Sequence, residues 1–179
     1  QHDPNRTWFV DGNGDPIPHA AGTYESGRAG YVLTFDTEEL HRPDLLIATI
    51  AHELSHARLL GERRLRDRPF DNELLTDLTA VALGFGVFLA NSPRVWSSQY
   101  STWPGTNLVK PEYMTPPMFG YALAHAAWHE QAQKPQWAQF LGPSVATDFR
   151  QAVRFLFKTA DSTFRPVPHV LTSAEMDGA

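Results

Sequence analysis

The pattern of apolar and polar residues divides the chain into a turn-rich beginning and a helical remainder. Residues 1–36 are rich in glycine and proline, and two short runs of β-branched and aromatic residues predict strands, Thr7–Val10 and Tyr31–Phe35. From Pro43 onward the pattern becomes helical. We therefore expect an α+β fold, in which a small N-terminal sheet or hairpin precedes a mainly helical body.

The boundaries of the helices follow from the residues that begin and end them. Proline favours the first position of a helix, and glycine favours the position after the last turn. Four helices are expected on this basis, at about 43–60, Asn72–Ala90, 117–133 and 143–159. Residues 92–116 are expected to be a long connection without regular structure, which often lines a site when it is ordered.

Composition and charge narrow the class of protein. A chain of 179 residues with 42% apolar and 20% charged residues fits one globular domain, 1–179, and we expect the tail 166–179 to be poorly ordered. The net charge of −5 argues against a general nucleic-acid binder.

The longest apolar run, Ala80–Ala90, is shorter than the roughly 18–20 residues of a membrane span. No signal segment is evident either, so a cytoplasmic, soluble protein is expected. The absence of cysteine excludes disulfides and thiolate zinc sites.

The segment His52–His56, with the sequence HELSH, carries chemistry within the first predicted helix. Residues four apart lie on one face of a helix, so both imidazoles can approach one metal ion. Glu53 lies beside them, where it reaches a water molecule on the metal rather than the metal itself. The apolar stretch Ile47–Ala51 indicates a mostly buried helix and argues against two solvated histidines. Because two histidines do not complete a zinc site, a third protein ligand is expected, together with an open position for water.

Three carboxylates are candidates for the third ligand. Glu62 lies six residues after His56, but the chain would have to turn sharply at a glycine, and that position is Leu59. Glu73 and Asp77 are four residues apart at the start of the second predicted helix, so one can bind the metal while the other accepts the free ring N–H of a ligand histidine. We favour Glu73 as the ligand, and Asp77 and Glu62 remain alternatives.

The two motifs together, His52-Glu53-x-x-His56 and Glu73-x-x-x-Asp77, resemble those of the gluzincin zinc metallopeptidases, including their compact ImmA/IrrE-type and CaaX-type members. The resemblance implies a zincin-like core that holds one Zn²⁺ ion. It also implies that His52, His56 and Glu73 are the ligands, that Glu53 is the general base, and that Asp77 orients a ligand histidine.

This resemblance covers about residues 31–90 and gives Tyr31–Phe35 the place of the edge strand along which an extended substrate lies. The stretch Met118–Ala124 and the fourth predicted helix, 143–159, are similar to uncharacterised bacterial proteins that share the motif pair, and that similarity implies no substrate. From the 179 residues we expect no large C-terminal domain of the kind that supplies transition-state donors in thermolysin-like relatives.

Candidate donors for the transition state lie instead on the third predicted helix. Tyr121, His125 and His129 follow one another at spacings of four residues, on one face. Tyr121 or His125 is a candidate donor to the oxyanion, a role that needs a hydrogen-bond donor in a site without water. The alternative interpretation of Tyr121 is a core aromatic residue, and we interpret His129 as a surface residue.

The function expected from these residues is zinc-dependent hydrolysis of a peptide or protein substrate, with Glu53 as the general base for a zinc-activated water. One alternative is a peptide-binding or regulatory module that contains zinc but has no turnover. Hydrolysis of a non-peptide amide is a third possibility. The sequence does not determine the oligomeric state or the cleavage specificity.

Overall fold

The computed structural model describes residues 22–27, 30–35, 37–62, 64, 72–92, 97–102, 109–111 and 113–163. Most of these residues are helical, and two antiparallel strand pairs accompany the helices, so the fold is α+β at this coarse level. The predicted strand Thr7–Val10 and the tail 166–179 lie outside the described residues. Backbone contacts divide the chain into two compact units, Gln1–Arg68 and Pro69–Ala179, and the single-domain organisation stays a prediction.

The described part of the first unit contains a β-hairpin and a long helix. Strands β1 (Gly22–Gly27) and β2 (Gly30–Phe35) pair antiparallel along their whole length. A short 3₁₀ turn, Thr37–His41, leads into α1 (Pro43–His56), and the hairpin lies against this helix. The predicted strand Tyr31–Phe35 is thus confirmed as part of β2. Strand β1 was not predicted, because its sequence, GTYESG, contains no apolar run.

Beyond the HELSH segment, α1 continues as a π-helical turn, Ala57–Gly61. In this turn the N–H of Glu62 donates to the carbonyl of Ala57 (3.1 Å), and the N–H of Arg64 donates to the carbonyl of Leu59 (2.9 Å). The helical stretch therefore ends close to the predicted residue 60. Because the chain keeps turning helically through Leu59, it does not make the sharp bend that would bring Glu62 back toward His56.

The second predicted helix is present but kinked. Helix α2 (Asn72–Ala80) runs through a π-helical turn, Val81–Phe85, into α3 (Gly86–Asn91). Gly84 interrupts the regular helix with a φ of 93°, a conformation that glycine adopts without the steric clash of a Cβ. The sequence predicted one regular helix because an isolated glycine inside an apolar helical pattern is usually tolerated.

This kinked segment is also long and apolar. Glu73–Asn91 has a mean hydropathy of 1.6 and meets the length and composition of a membrane-spanning helix, with 39% of the apolar window buried. A core helix of a soluble protein meets the same criterion, which is therefore weak evidence for a span. The sequence prediction considered only Ala80–Ala90, which Gly84 and Gly86 interrupt, and so did not include the first part of the helix. The absence of a membrane span stays a prediction.

The connection between α3 and the next helix contains a strand pair. Strands β3 (Ser97–Thr102) and β4 (Val109–Pro111) pair antiparallel, with a shift in register between Ser97 and Thr102. The prediction that residues 92–116 lack regular structure is therefore wrong. The sequence of β3, SSQYST, has no alternation of apolar and polar residues, so only the moderate strand preference of threonine and tyrosine could have indicated it.

Helices α4 (Pro116–His129) and α5 (Pro143–Thr159) pack against each other in the second unit. Helix α5 has the predicted bounds. The apolar stripe predicted on it is buried, and consists of Val145, Phe149, Val153 and Leu156. The sequence predicted α5 correctly because a proline occupies its first position and its apolar residues recur at helical spacing.

Helix α4 ends at His129 rather than near residue 133, because the chain forms a Schellman turn there. Gln131 has a left-handed φ of 54°. The N–H groups of Gln131 and Ala132 donate back to the carbonyls of Trp128 and Ala127, at 3.1 and 2.9 Å. Glycine is the usual residue at this position, and glutamine gives no comparable signal in the sequence.

Gly120→Ala is expected to destabilise the second unit through the contact between α4 and α5. A Cβ at residue 120 would lie 2.7 Å from the Cβ of Asp148 and 2.8 Å from the backbone nitrogen of Phe149. Overpacking of this kind costs about 1–3 kcal/mol, whereas alanine gains only about 1 kcal/mol over glycine within a helix. The free energy of unfolding in urea measures the balance. A variant more stable than the wild type would show that helix propensity outweighs the close approach.

Candidate metal centre

His52 and His56 form a closely spaced, buried pair on α1, with exposed fractions of 6% and 8%. The two Nε2 atoms are 3.1 Å apart, and the ring centroids are 4.7 Å apart with nearly perpendicular planes. Their spacing of one helical turn places the rings on the same face, as the sequence predicts. Burial of both rings distinguishes this pair from two solvated histidines on an exposed helix.

The distance between the two Nε2 atoms fits a shared metal ion. Zinc binds imidazole nitrogen at about 2.0–2.1 Å in tetrahedral geometry, which separates two nitrogen ligands by about 3.3 Å. The observed separation of 3.1 Å is close to this value. Without a metal, the same contact serves as a hydrogen bond if one ring carries its proton on Nε2. Metal binding needs both Nε2 atoms unprotonated, so it competes with that hydrogen bond.

Glu73, at the start of α2, completes a group of three metal-binding side chains. One carboxylate oxygen of Glu73 and one ring nitrogen from each of His52 and His56 all lie within 4.8 Å of one another. The two histidines are buried and Glu73 is half-buried. Within the part of the chain that the structure describes, this is the one group with the composition and spacing of a metal site. Two imidazoles and one carboxylate can hold a metal ion and leave a coordination position open.

Glu53 follows His52 directly in α1, and its side chain is half-buried. It is not a member of the three-residue group. Adjacent helical residues point about 100° apart around the axis, so Glu53 lies to one side of the direction in which His52 and His56 point. Its predicted role, contact with water beside the metal, requires a position next to the group rather than within it. That role stays a prediction.

Asp77, one turn after Glu73 in α2, is fully buried, with an exposed fraction of 0%. Its Oδ2 accepts a hydrogen bond from the backbone N–H of Met114 at 3.0 Å. The sequence predicted a histidine ring as the donor and missed this amide. No residue-type pattern could have indicated it, because every residue except proline carries a backbone N–H.

Glu62, an alternative third ligand, is exposed and interacts with two arginines. Its Oε2 lies 2.6 Å from Nε of Arg64, and its Oε1 lies 3.6 Å from Nη1 of Arg58. The hydrogen bond from Arg64 holds the pKa of the Glu62 carboxyl below its usual value. This carboxylate is not part of the group formed by His52, His56 and Glu73. The local structure therefore gives Glu62 a surface ion-pair role.

The two predicted oxyanion donors contact each other on α4. The rings of Tyr121 and His125 are 4.8 Å apart and perpendicular. Nδ1 of His125 lies 3.1 Å from Oγ of Ser162, a contact that the sequence did not predict because Ser162 follows α5 in a segment without periodicity. Burial lowers the pKa of His125, and the nearby Asp161 partly offsets that effect.

Tyr121 is 39% exposed, so its interpretation as a core aromatic is wrong. His129 is exposed, as predicted. Participation of Tyr121 or His125 in a reaction stays a prediction.

Comparison with known proteins adds no further assignment. No model of a protein family matches the chain. No curated protein and no solved structure shows a significant match either.

Proposed function

We propose that this protein is a zinc-dependent peptidase with a gluzincin-type, zincin-like core. The observation that supports the proposal best is the proximity of His52, His56 and Glu73, with Glu53 between the two histidines in the sequence. Imidazole ligands favour zinc over magnesium or calcium, which prefer oxygen donors alone. The distance between the two Nε2 atoms is also compatible with zinc.

The residues of the site have different roles in the proposed reaction. Zinc in such a site polarises a carbonyl group and lowers the pKa of water to about 7. Glu53 takes the proton from the attacking water and passes it to the departing amine. Its half-buried position suits this exchange, because the carboxylate is partly shielded from solvent but remains accessible to a substrate.

A donor on α4 completes the proposed mechanism. Tyr121 or His125 donates a hydrogen bond to the oxygen on which negative charge develops as the peptide carbonyl is attacked. Burial lowers the pKa of His125 and so favours the neutral ring, which has one ring N–H. The contact with Ser162 restricts the orientation of that ring.

The proposed substrate is a peptide or protein segment in an extended conformation. Strand β2 pairs with β1 along one of its sides. In the described ranges no strand pairs with its other side. Backbone groups on that side suit an added strand, in which main-chain hydrogen bonds hold the substrate and side-chain positions give specificity.

The purified protein is expected to contain about one zinc ion per chain, because two imidazoles and one carboxylate form a single site. Elemental analysis after removal of metal with a chelator, reloading with zinc and desalting measures the ratio. His56→Ala is the matched variant and should lose most of the zinc. A wild-type protein that retains no zinc would contradict the proposal. Bound zinc without cleavage of a broad peptide library would favour the peptide-binding alternative.

A further inference from the structure

We propose that Asp77 is a positioning residue that fixes the start of α4 to α2. Its fully buried carboxylate accepts a hydrogen bond from the N–H of Met114, 37 residues further along the chain. Met114 is itself buried, with an exposed fraction of 4%. The link thus joins two distant segments of the second unit inside its core. This role adds to the orientation of a histidine that the family resemblance implies.

The chemistry of the link makes it a strong constraint. A carboxylate in a buried position needs hydrogen-bond donors, because burial without them is very unfavourable. The bond from the N–H of Met114, at 3.0 Å, has the ordinary length of an N–H···O hydrogen bond. Removal of the amide or of the carboxylate therefore leaves a buried polar group with one partner fewer, at a point that water does not reach readily.

Within the described residues, the N-terminus of α4 has no side-chain cap of its own. Thr115 occupies the N-cap position, but its side chain makes no capping hydrogen bond. Pro116 and Pro117 follow, and neither has an N–H to donate. In the first hydrogen bond of the helix, the N–H of Phe119 donates to the carbonyl oxygen of Thr115, at 2.9 Å. The bond between Asp77 and Met114 thus holds the residue immediately before the N-cap.

The link bears on the proposed reaction because Glu73 and His125 lie on the two segments that it joins. Glu73 lies one turn before Asp77, on the same face of α2. Tyr121 and His125 lie on α4, whose start Asp77 holds. The carboxylate of Asp77 therefore connects the helix that provides the proposed third ligand with the helix that provides the proposed oxyanion donor. This last step rests on the proposed function, whereas the link itself does not.

A matched pair of substitutions at Met114 tests the link from the donor side. Met114→Ala and Met114→Pro both remove the buried side chain, but only proline removes the N–H. We expect the amide of Phe119 to exchange with solvent roughly 10–100-fold faster in Met114→Pro than in Met114→Ala, as the loss of one buried hydrogen bond predicts. Equal exchange in the two variants would overturn the proposal.

A second pair of substitutions, at Asp77, tests the link from the acceptor side and does not depend on whether Met114→Pro folds. Asp77→Asn retains a side-chain oxygen that can accept from Met114, whereas Asp77→Ala does not. The amide of Met114 should exchange on the order of 10–100-fold faster in Asp77→Ala than in the wild type, and Asp77→Asn should restore most of the protection. Protection of this amide that is unchanged in Asp77→Ala would show that another contact fixes the start of α4.

A kinetic comparison separates positioning from a general loss of stability. Val153→Ala removes part of a buried side chain in α5 and leaves the link intact. At saturating zinc and in urea-free buffer, Asp77→Ala should lower kcat for peptide cleavage more than Val153→Ala does, while the two variants unfold at similar urea concentrations. Equal kcat values would restrict the role of Asp77 to stability. If the wild type cleaves no peptide, the peptidase proposal fails by itself, and the exchange measurements still decide whether the link exists.

Discussion

Glu53→Gln is expected to abolish most peptide cleavage and to leave the zinc content unchanged. Glutamine has nearly the same shape as glutamate but cannot take a proton from water, so the general-base step is lost. General acid–base groups contribute about 10²–10⁴-fold to the rate. Zinc content should persist because His52, His56 and Glu73 form the proposed ligand set without Glu53. Paired measurements of kcat and of zinc per chain test both parts.

Glu62→Gln is the matched control for this substitution. Glu62 lies in the turn after the same helix, but it is exposed and interacts with Arg58 and Arg64. The control should therefore retain both activity and zinc. Loss of zinc in Glu53→Gln would show that Glu53 is a ligand, and full activity would show that another group accepts the proton.

Helix boundaries were predictable where the sequence contains local signals. The start and end of α5 follow from Pro143 and from an apolar stripe of helical spacing. The HELSH segment gave the pair His52 and His56 for the same reason, since the positions i and i+4 share a helical face. In these cases the information lies within a few residues of the feature that it determines.

Features that depend on backbone conformation at one residue were not predictable. The kink at Gly84 and the left-handed Gln131 at the end of α4 both change the course of a helix. Glycine within a helix usually causes no break, and glutamine is an uncommon residue in the left-handed region. Surrounding packing and hydrogen bonds decide such conformations, and a single sequence does not encode them locally.

Long-range polar contacts were the least predictable part of the candidate site. The spacing of Glu73 and Asp77 correctly indicated that both lie on one face of α2, and the structure brings Glu73 to the two histidines. The partners of the neighbouring polar groups were not indicated, because a backbone amide at Met114 and a hydroxyl at Ser162 lie far away in sequence. Sequence patterns identify which residues carry chemistry more readily than they identify which groups hold those residues in place.

Glu73→Ala and Asp77→Ala are expected to weaken zinc binding to different extents. Glu73→Ala removes an oxygen from the proposed ligand set, and most of the bound zinc should be lost. Asp77→Ala removes a residue that is proposed to act on the position of the ligands rather than on the metal, so the affinity should fall by only about 10–100-fold. Competition with a chromogenic chelator measures the two affinities, and Glu62→Ala is the control that should leave zinc binding unchanged.

If Asp77→Ala weakens binding more than Glu73→Ala does, Asp77 is the third ligand, and the gluzincin-type arrangement of the site is excluded. If Glu62→Ala is the most damaging of the three, the metal is held instead by a ligand in the turn after α1.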